Sequence, residues 1–414
     1  MTYIEQLGVR AKAAEAAMRS ITTEQKNAAL TAVAKILREN KEAILSVNPK
    51  DLETARKNNR SEAFIERLTL NESRIKSISD GIMEIVALPD PIGEIIGGGR
   101  AKDGFDIIKQ RVPLGVIGII YESRPNVTAD AAALCLKSGN VCILRGGKDA
   151  INTNKVIADL MRAALEEQGL NPDCVLLVED TSREAANEMM RLNGYVDVLI
   201  PRGGAGLIRS VVENATVPVI QTGEGNCHLY IDESADPEMA VKIADNAKTQ
   251  RPSVCNAIET LLVHEKVANV ILKRLYELWN GKVIIYGCSR TSAIINVNRA
   301  ATEEDYATEF NELILAVKIV DNIEAAVKHI NKYSTRHSEC IITQNYDNAR
   351  KFRQEIDAAA VYVNASTRFT DGNVFGLGAE IGISNQKLHA RGPLGLRELT
   401  SYKYLIFGNG QIRN

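Results

Sequence analysis

Between residues 115 and 220 the chain alternates short apolar runs with amphipathic stretches, and no other feature of the sequence restricts the fold as strongly. The apolar runs cover 115–121, 141–144, 175–178, 196–200 and 217–220; they are short and rich in β-branched residues, as buried strands are. Between them, 127–138, 150–168, 182–193 and 205–215 carry apolar residues at helical spacing. Strands that are apolar on both faces and joined by helices form a parallel sheet covered on both sides. A second alternating series starts near 257, with strands at 258–263, 283–286, 313–320, 339–343 and 360–364 and helices at 265–280, 323–333 and 346–356. The expected fold class is therefore α/β, with two α/β domains in sequence. Residues 1 to 93 read as helical almost throughout, punctuated at Asn48-Pro49, Asn71 and Pro89-Asp90-Pro91, and a turn and extended ribbon follow at 94–112.

At 414 residues the chain exceeds one ordinary core, and 45% hydrophobic with 25% charged residues is the composition of a soluble globular protein. A net charge of −2 with both signs interspersed speaks against a nucleic-acid surface. No apolar run reaches the roughly 20 residues that span a bilayer, and the first residues lack the basic and apolar regions of a signal peptide. Seven scattered cysteines, an odd number without close pairs, fit reduced thiols and a cytoplasmic location. No metal is expected. Cys227-His228 is the nearest approach to a ligand pair, and neighbours in a strand point to opposite faces.

In an open parallel sheet, ligands bind beyond the carboxyl ends of the strands. Those ends are Glu122-Ser123-Arg124-Pro125, Arg145-Gly146-Gly147-Lys148, Glu179-Asp180, Pro201-Arg202-Gly203-Gly204 and Gln221-Thr222-Gly223-Glu224-Gly225. Two of them combine a glycine pair with a base, which suits a phosphate-bearing ligand. The same glycines equally suit tight turns between strand and helix. A cysteine stands out downstream. Asp236-Pro237-Glu238 opens a helix with a cap residue, a proline in the first turn and an acid. Pro252 forbids its continuation, and the strand at 258–263 follows. Cys255 lies in the short polar loop between them, where a thiol is open to substrate and activation. Cys135, Cys142 and Cys174 lie in apolar runs, and Cys288 and Cys340 have nothing reactive beside them in sequence.

Basic loops at strand ends, a glycine-rich turn and a cysteine loop opening a second α/β domain together resemble the aldehyde dehydrogenase superfamily. Within it, the chain is similar to the branch that reduces L-glutamyl 5-phosphate. The residues carrying the resemblance run from Val112 to Asn126, from Gly139 to Lys148, from Pro201 to Gly204, from Gly225 to His228, from Gln250 to Asn256 and from Arg391 to Leu399, so it spans essentially the whole chain. It implies an aldehyde-dehydrogenase-like fold: two Rossmann-like α/β domains plus a small oligomerisation β-hairpin. The implied cofactor domain is 1–93, 113–224 and 377–394, the catalytic domain 225–376, and the oligomerisation ribbon 94–112 with 395–414.

The resemblance implies that Cys255 attacks the acyl phosphate, forming a thioester that NADPH reduces to glutamate 5-semialdehyde in proline biosynthesis. Arg145, Gly146, Gly147, Lys148, Arg202, Gly203 and Gly204 would hold the cofactor, with Lys148 favouring NADP through a ribose phosphate. Glu309 resembles the acid that holds the nicotinamide ribose. Arg124, Asn126, Thr367 and Arg368 are the substrate candidates, arginine by bidentate bonding. For the oxyanion donor, equal spacing points to Glu122, while Asn126 is the nearby amide. Hydrolytic relatives carry a water-activating glutamate where this chain has Gln221-Thr222, although Glu224 is close. A hydrolytic or CoA-acylating aldehyde dehydrogenase is the alternative. A homo-oligomer and a contact with glutamate 5-kinase are the expected associations.

Overall fold

The structure, a computed structural model, describes residues 1–413; Asn414, the end of the expected ribbon segment 395–414, lies outside the described residues. The first helices start where the sequence supplies caps. α1 (Tyr3–Met18) and α2 (Thr23–Glu39) each open on a threonine whose hydroxyl accepts the third helical N–H, with Glu5 or Gln25 reaching back to the cap. α3 (Lys41–Lys57) runs on through Pro49, where the sequence predicts a break. Tertiary bonds hold it there: buried Asn48 donates to the Leu68 carbonyl and to Thr153 Oγ1, and Asp51 accepts from the backbone and side chain of Asn152 and Thr153. α4 (Glu62–Leu68) and α5 (Glu72–Ala87) complete the helical layer.

The chain then forms an antiparallel ribbon, β1 (Ile95–Arg100) with β2 (Asp106–Pro113), and enters the alternating region. This comprises β3 (Val116–Tyr121), α6 (Pro125–Lys137), β4 (Val141–Arg145), α7 (Ile151–Glu167), β5 (Val175–Leu177), α8 (Arg183–Met190), β6 (Val198–Arg202) and α9 (Ala205–Asn214). Its strands are parallel in the order β5-β4-β3-β6 among the described residues. Central β3 is buried along its whole length. Gly118 lies in it because a Cβ there would meet Leu199 at 2.5 Å and Met189 at 2.9 Å. The predicted strand at 217–220 makes only a single bridge, Leu199 to Val219. Pro218 has no N–H to continue a ladder.

The second sheet contains a strand that the sequence conceals. β7 (Cys227–Ile231) is fully buried, yet His228 and its polar neighbours mask the apolar run. α10 (Pro237–Thr249), β8 (Ile258–His264), α11 (Glu265–Trp279), β9 (Ile284–Gly287), α12 (Ser289–Ser292), β10 (Arg299–Ala300), β11 (Ile314–Val320), α13 (Ile323–Tyr333), β12 (Ser338–Ile342), α14 (Tyr346–Glu355) and β13 (Ala360–Val363) follow. The parallel order is β10-β9-β11-β8-β7-β12-β13. Short β14 (Ile383–Ser384) and β15 (Gly392–Pro393) pair with each other, and β16 (Thr400–Phe407) returns to β2. Two such parallel sheets with flanking helices, and small antiparallel sheets beside them, are the α/β class that the alternation predicts.

The chain divides into two compact units. The first contains Met1–Gln221, Gly376–Gly382 and the C-terminal stretch from Leu394; the second contains Thr222–Phe375 and Ile383–Pro393. The stretch 377–394, expected in the cofactor domain, is divided between the two units. Its middle is drawn into the second unit by the bridge from Ser384 to Thr222, by Asn385 donating to the Thr335 carbonyl and by Arg391 paired with Asp357 at 2.8 Å.

In the second unit, the buried ring of His329 lies 4.8 Å from that of Tyr306 and 4.6 Å from that of Tyr333, with Lys318 Nζ 3.3 Å from its Nδ1. Burial, together with His228, Lys318 and Lys332, pushes its pKa down to about 2. The unfolded chain takes up a proton here near pH 6.5, whereas the native state does not. Stability should therefore fall on acidification below that value, by up to about 1.4 kcal/mol per pH unit for this group. Urea midpoints measured from pH 7 to pH 5 should decline in the wild type and decline less in His329→Phe; parallel declines would exclude His329 as a source.

Candidate active site

Cys255 occupies the turn between α10 and β8 and is partly exposed. Cys135, Cys142, Cys174, Cys227 and Cys340 are buried. Burial pushes the Cys174 and Cys340 thiols up to about 12. Cys288, also partly exposed, caps α12. Burial opposes ionisation there, but hydrogen bonds from Thr291 and the Ile319 N–H draw its pKa below that of an ordinary thiol, a property its sequence neighbourhood did not suggest.

The cysteine loop is held by three sets of contacts within the second unit. The first is steric: a Cβ on Gly225 would lie 1.5 Å from the Cys255 carbonyl oxygen and 2.5 Å from its Cα, so only glycine fits. The same carbonyl accepts a 3.1 Å hydrogen bond from Cys227 Sγ. The second set comes from the turn after β13. Asn256 Nδ2 donates to the carbonyls of Thr370 (2.8 Å) and Arg368 (3.4 Å), and Thr367 Oγ1 donates to the Asn256 carbonyl at 2.7 Å. Thr367, a substrate candidate, is buried, and its hydroxyl braces the Cys255 loop. The third set is electrostatic. Arg368 Nε donates to Gln250 Oε1 at 2.8 Å. Burial lowers the Arg368 pKa, and nearby Arg251 adds repulsion, whereas Cys255 favours its charged form. The Cys255 sulfur and the partly desolvated Arg368 guanidinium therefore interact electrostatically.

Glu309 joins this cluster, since its Oε1 accepts the Gly225 N–H at 3.0 Å. Sequence reasoning missed the roles of Gly225 and Asn256. Both lay inside quoted motifs, but nothing in a sequence shows that two loops collide.

The strand ends of the first unit hold the remaining candidates. Arg145 is half-buried, and its Nη2 donates to the carbonyls of Thr181 (2.7 Å) and Ser182 (2.9 Å), buttressing the next turn. Gly146 and Gly147 are fixed by packing, because Cβ atoms there would meet Asn154 Nδ2 at 2.2 Å and Ser123 Oγ at 2.7 Å. Lys148 is exposed at the start of the following helical turn. Arg202 ends β6, and the glycines after it receive a neighbour unforeseen in the sequence. A Cβ on Gly203 would meet Glu122 at 2.7 Å, and the Gly204 N–H donates to Glu122 Oε1 at 3.0 Å. A carboxylate thus sits at the amino end of α9, where helix donors favour an anion. Arg124 caps α6, and Asn126 donates to Asp130 on the same helix at 3.0 Å. Burial pushes Asp130 up to about 6 against the pull of that amide.

A model of the aldehyde dehydrogenase family matches residues 3–285. A curated gamma-glutamyl phosphate reductase from Carboxydothermus hydrogenoformans is 58% identical over 414 residues, 100% of both chains. The crystal structure of a gamma-glutamyl phosphate reductase from Thermotoga maritima matches with a TM-score of 0.97 and 50% identity, covering 100% of each chain. An acetylating aldehyde dehydrogenase from Geobacillus thermoglucosidasius shares the fold, with a TM-score of 0.71 at 18% identity over 99% of this chain and 97% of that one.

The contact between position 225 and Cys255 can be broken with one methyl group. Gly225→Ala should displace the cysteine loop and reduce kcat by at least about a hundredfold, the usual cost of a misplacement near 1 Å. A variant of wild-type kcat would mean that the loop relaxes freely.

Proposed function

We propose, for a chain that belongs to the aldehyde dehydrogenase family and to its gamma-glutamyl phosphate reductase branch, that Cys255 carries the reduction of L-glutamyl 5-phosphate to glutamate 5-semialdehyde in proline biosynthesis. The observation supporting this reading is a partly exposed thiol in a braced loop beside the Arg368 guanidinium.

The thiolate attacks the acyl carbon, the bond to the phosphate oxygen breaks, and inorganic phosphate leaves behind a Cys255 thioester. The Cys255 backbone N–H and Arg368 stabilise charge developing on the acyl and phosphate oxygens. When bound, NADPH supplies the hydride that reduces the thioester. Carbon–sulfur cleavage then releases the aldehyde and returns the cysteine. Water activation would drain the thioester before reduction. Gln221 and Thr222 stand where hydrolytic relatives have their glutamate, and Thr222 is buried and bridged to Ser384. This disfavours the hydrolytic alternative; the CoA-acylating one differs in its acyl acceptor.

The first unit is the cofactor domain in this reading, and the second is the catalytic domain. The amino end of α9 already hydrogen-bonds a carboxylate, Glu122, so its donors suit a phosphate. Arg202, Gly203 and Gly204 would hold that group. Exposed Lys148 would pair with a ribose phosphate and favour NADP, with Gly146 and Gly147 shaping its turn and Arg145 supporting the neighbouring one. Glu309 would hold the nicotinamide ribose while bonded to Gly225. Arg124 and Asn126 remain candidates for the glutamyl end. Strand β16 exposes Tyr402, Tyr404, Ile406 and Phe407, a surface that self-association would cover. Glutamate 5-kinase would supply the labile acyl phosphate in the same cytoplasmic compartment, by direct contact or diffusion.

Cys255→Ala should abolish NADP-dependent, phosphate-dependent oxidation of the semialdehyde, the reverse reaction, while leaving the fold intact; retained turnover would remove the nucleophile. Lys148→Glu should raise KM for NADPH by about tenfold or more, through loss of a charged phosphate contact, and alter KM for NADH little. Equal effects on both would remove the NADP argument. Vigorous oxidation of the semialdehyde without phosphate would favour the hydrolytic reading.

A further inference from the structure

Lys248 and Glu259 stand at the two feet of the loop that carries Cys255, the lysine at the end of α10 and the glutamate in β8. Both side chains are fully buried, and Lys248 Nζ lies 2.5 Å from Glu259 Oε2. Withdrawing two charges from water is costly, and apolar side chains of similar volume would stabilise such a place at least as well. The second carboxylate oxygen shows what the pair adds. Glu259 Oε1 accepts the backbone N–H of Asn311 at 3.1 Å. Asn311 has a left-handed backbone, φ 57°, two residues after Glu309. Glu309 in turn holds Gly225, the residue pressed against the Cys255 carbonyl. One buried carboxylate therefore joins both feet of the cysteine loop to the loop bearing Glu309. Burial raises the Glu259 pKa to about 7 and lowers that of Lys248, each shift being opposed by the other partner.

We propose that Lys248 and Glu259 are positioning residues that set the reach of Cys255 against the Glu309 loop, acting through the Asn311 N–H. The proposal rests on Cys255 being the nucleophile. In Lys248→Met/Glu259→Leu the ion pair becomes an apolar pair, a change that usually preserves stability. In Glu259→Asp the charge is kept, but the side chain is one methylene too short to span both partners.

The test follows phosphate-dependent oxidation of glutamate 5-semialdehyde with NADP⁺, together with Tm and amide hydrogen exchange. In both variants kcat should fall at least about tenfold while KM for the semialdehyde stays within about twofold, the pattern of lost positioning and not of lost substrate binding. Exchange at Asn311 and Gly225 should accelerate while β7 keeps its protection. Wild-type kcat in either folded variant would overturn the proposal, and should the double variant fail to fold, Glu259→Asp decides alone. Peptide mapping after iodoacetamide separates the two hypotheses. Label on Cys255 with unchanged kcat defeats only the positioning role, whereas label confined to Cys288 defeats the nucleophile reading itself.

Discussion

The Cys255 carbonyl oxygen lies where any side chain at position 225 would begin, and the architecture of the second unit follows from that contact. Because Gly225 has no side chain, β7 can start directly beneath the cysteine turn. Its N–H is then left to bond the Glu309 carboxylate, while Cys227, two residues on, donates its thiol hydrogen to the same carbonyl. From the other side, Asn256 and Thr367 fasten the turn after β13 to the same few atoms. A side chain on a loop ordinarily loses precision to loop motion. Here the loop is bonded or in van der Waals contact on three sides.

The alternation of strands and helices was legible because it depends on local pattern: apolar runs of the right length announce buried strands wherever they occur. Cys255 was legible for the same reason, being a polar-loop thiol flanked by a capped helix and an apolar strand. Three things were hidden. β7 was masked by His228, whose buried Nδ1 lies 3.2 Å from Glu339 Oε2 and 3.1 Å from the Asn226 carbonyl. Pro49 looked like a stop, but the bonds that carry α3 past it come from residues about a hundred positions away. The roles of the glycine pairs were hidden most deeply. Gly146 and Gly147 are glycines because Asn154 and Ser123 need the space, a reason that no spacing rule can reveal.

The two groups of candidate residues also differ in kind. Around Cys255, positive charge is partly desolvated and tied down: Arg368 is held by Gln250, and Lys248 by Glu259. At the first sheet, basic side chains such as Lys148 reach into solvent, and an internal carboxylate rests on helix donors that a phosphate would also seek. A covalent step needs a fixed geometry from the start, whereas a cofactor that comes and goes is served by contacts that water or a resident side chain can take over at little cost.

The order of the pieces along the chain has a consequence for biogenesis. The first unit is begun by the amino-terminal helices but finished only by residues after Gly376, including β16, which covers one side of β2. During translation, therefore, ribbon strand β2 emerges roughly 290 residues before the partner that hydrogen-bonds it, Thr400 pairing with Pro113 and Phe407 with Asp106. Nascent chains must carry that unpaired edge through nearly the whole of synthesis, so ribosome-bound intermediates are exposed to aggregation at a place the completed protein protects.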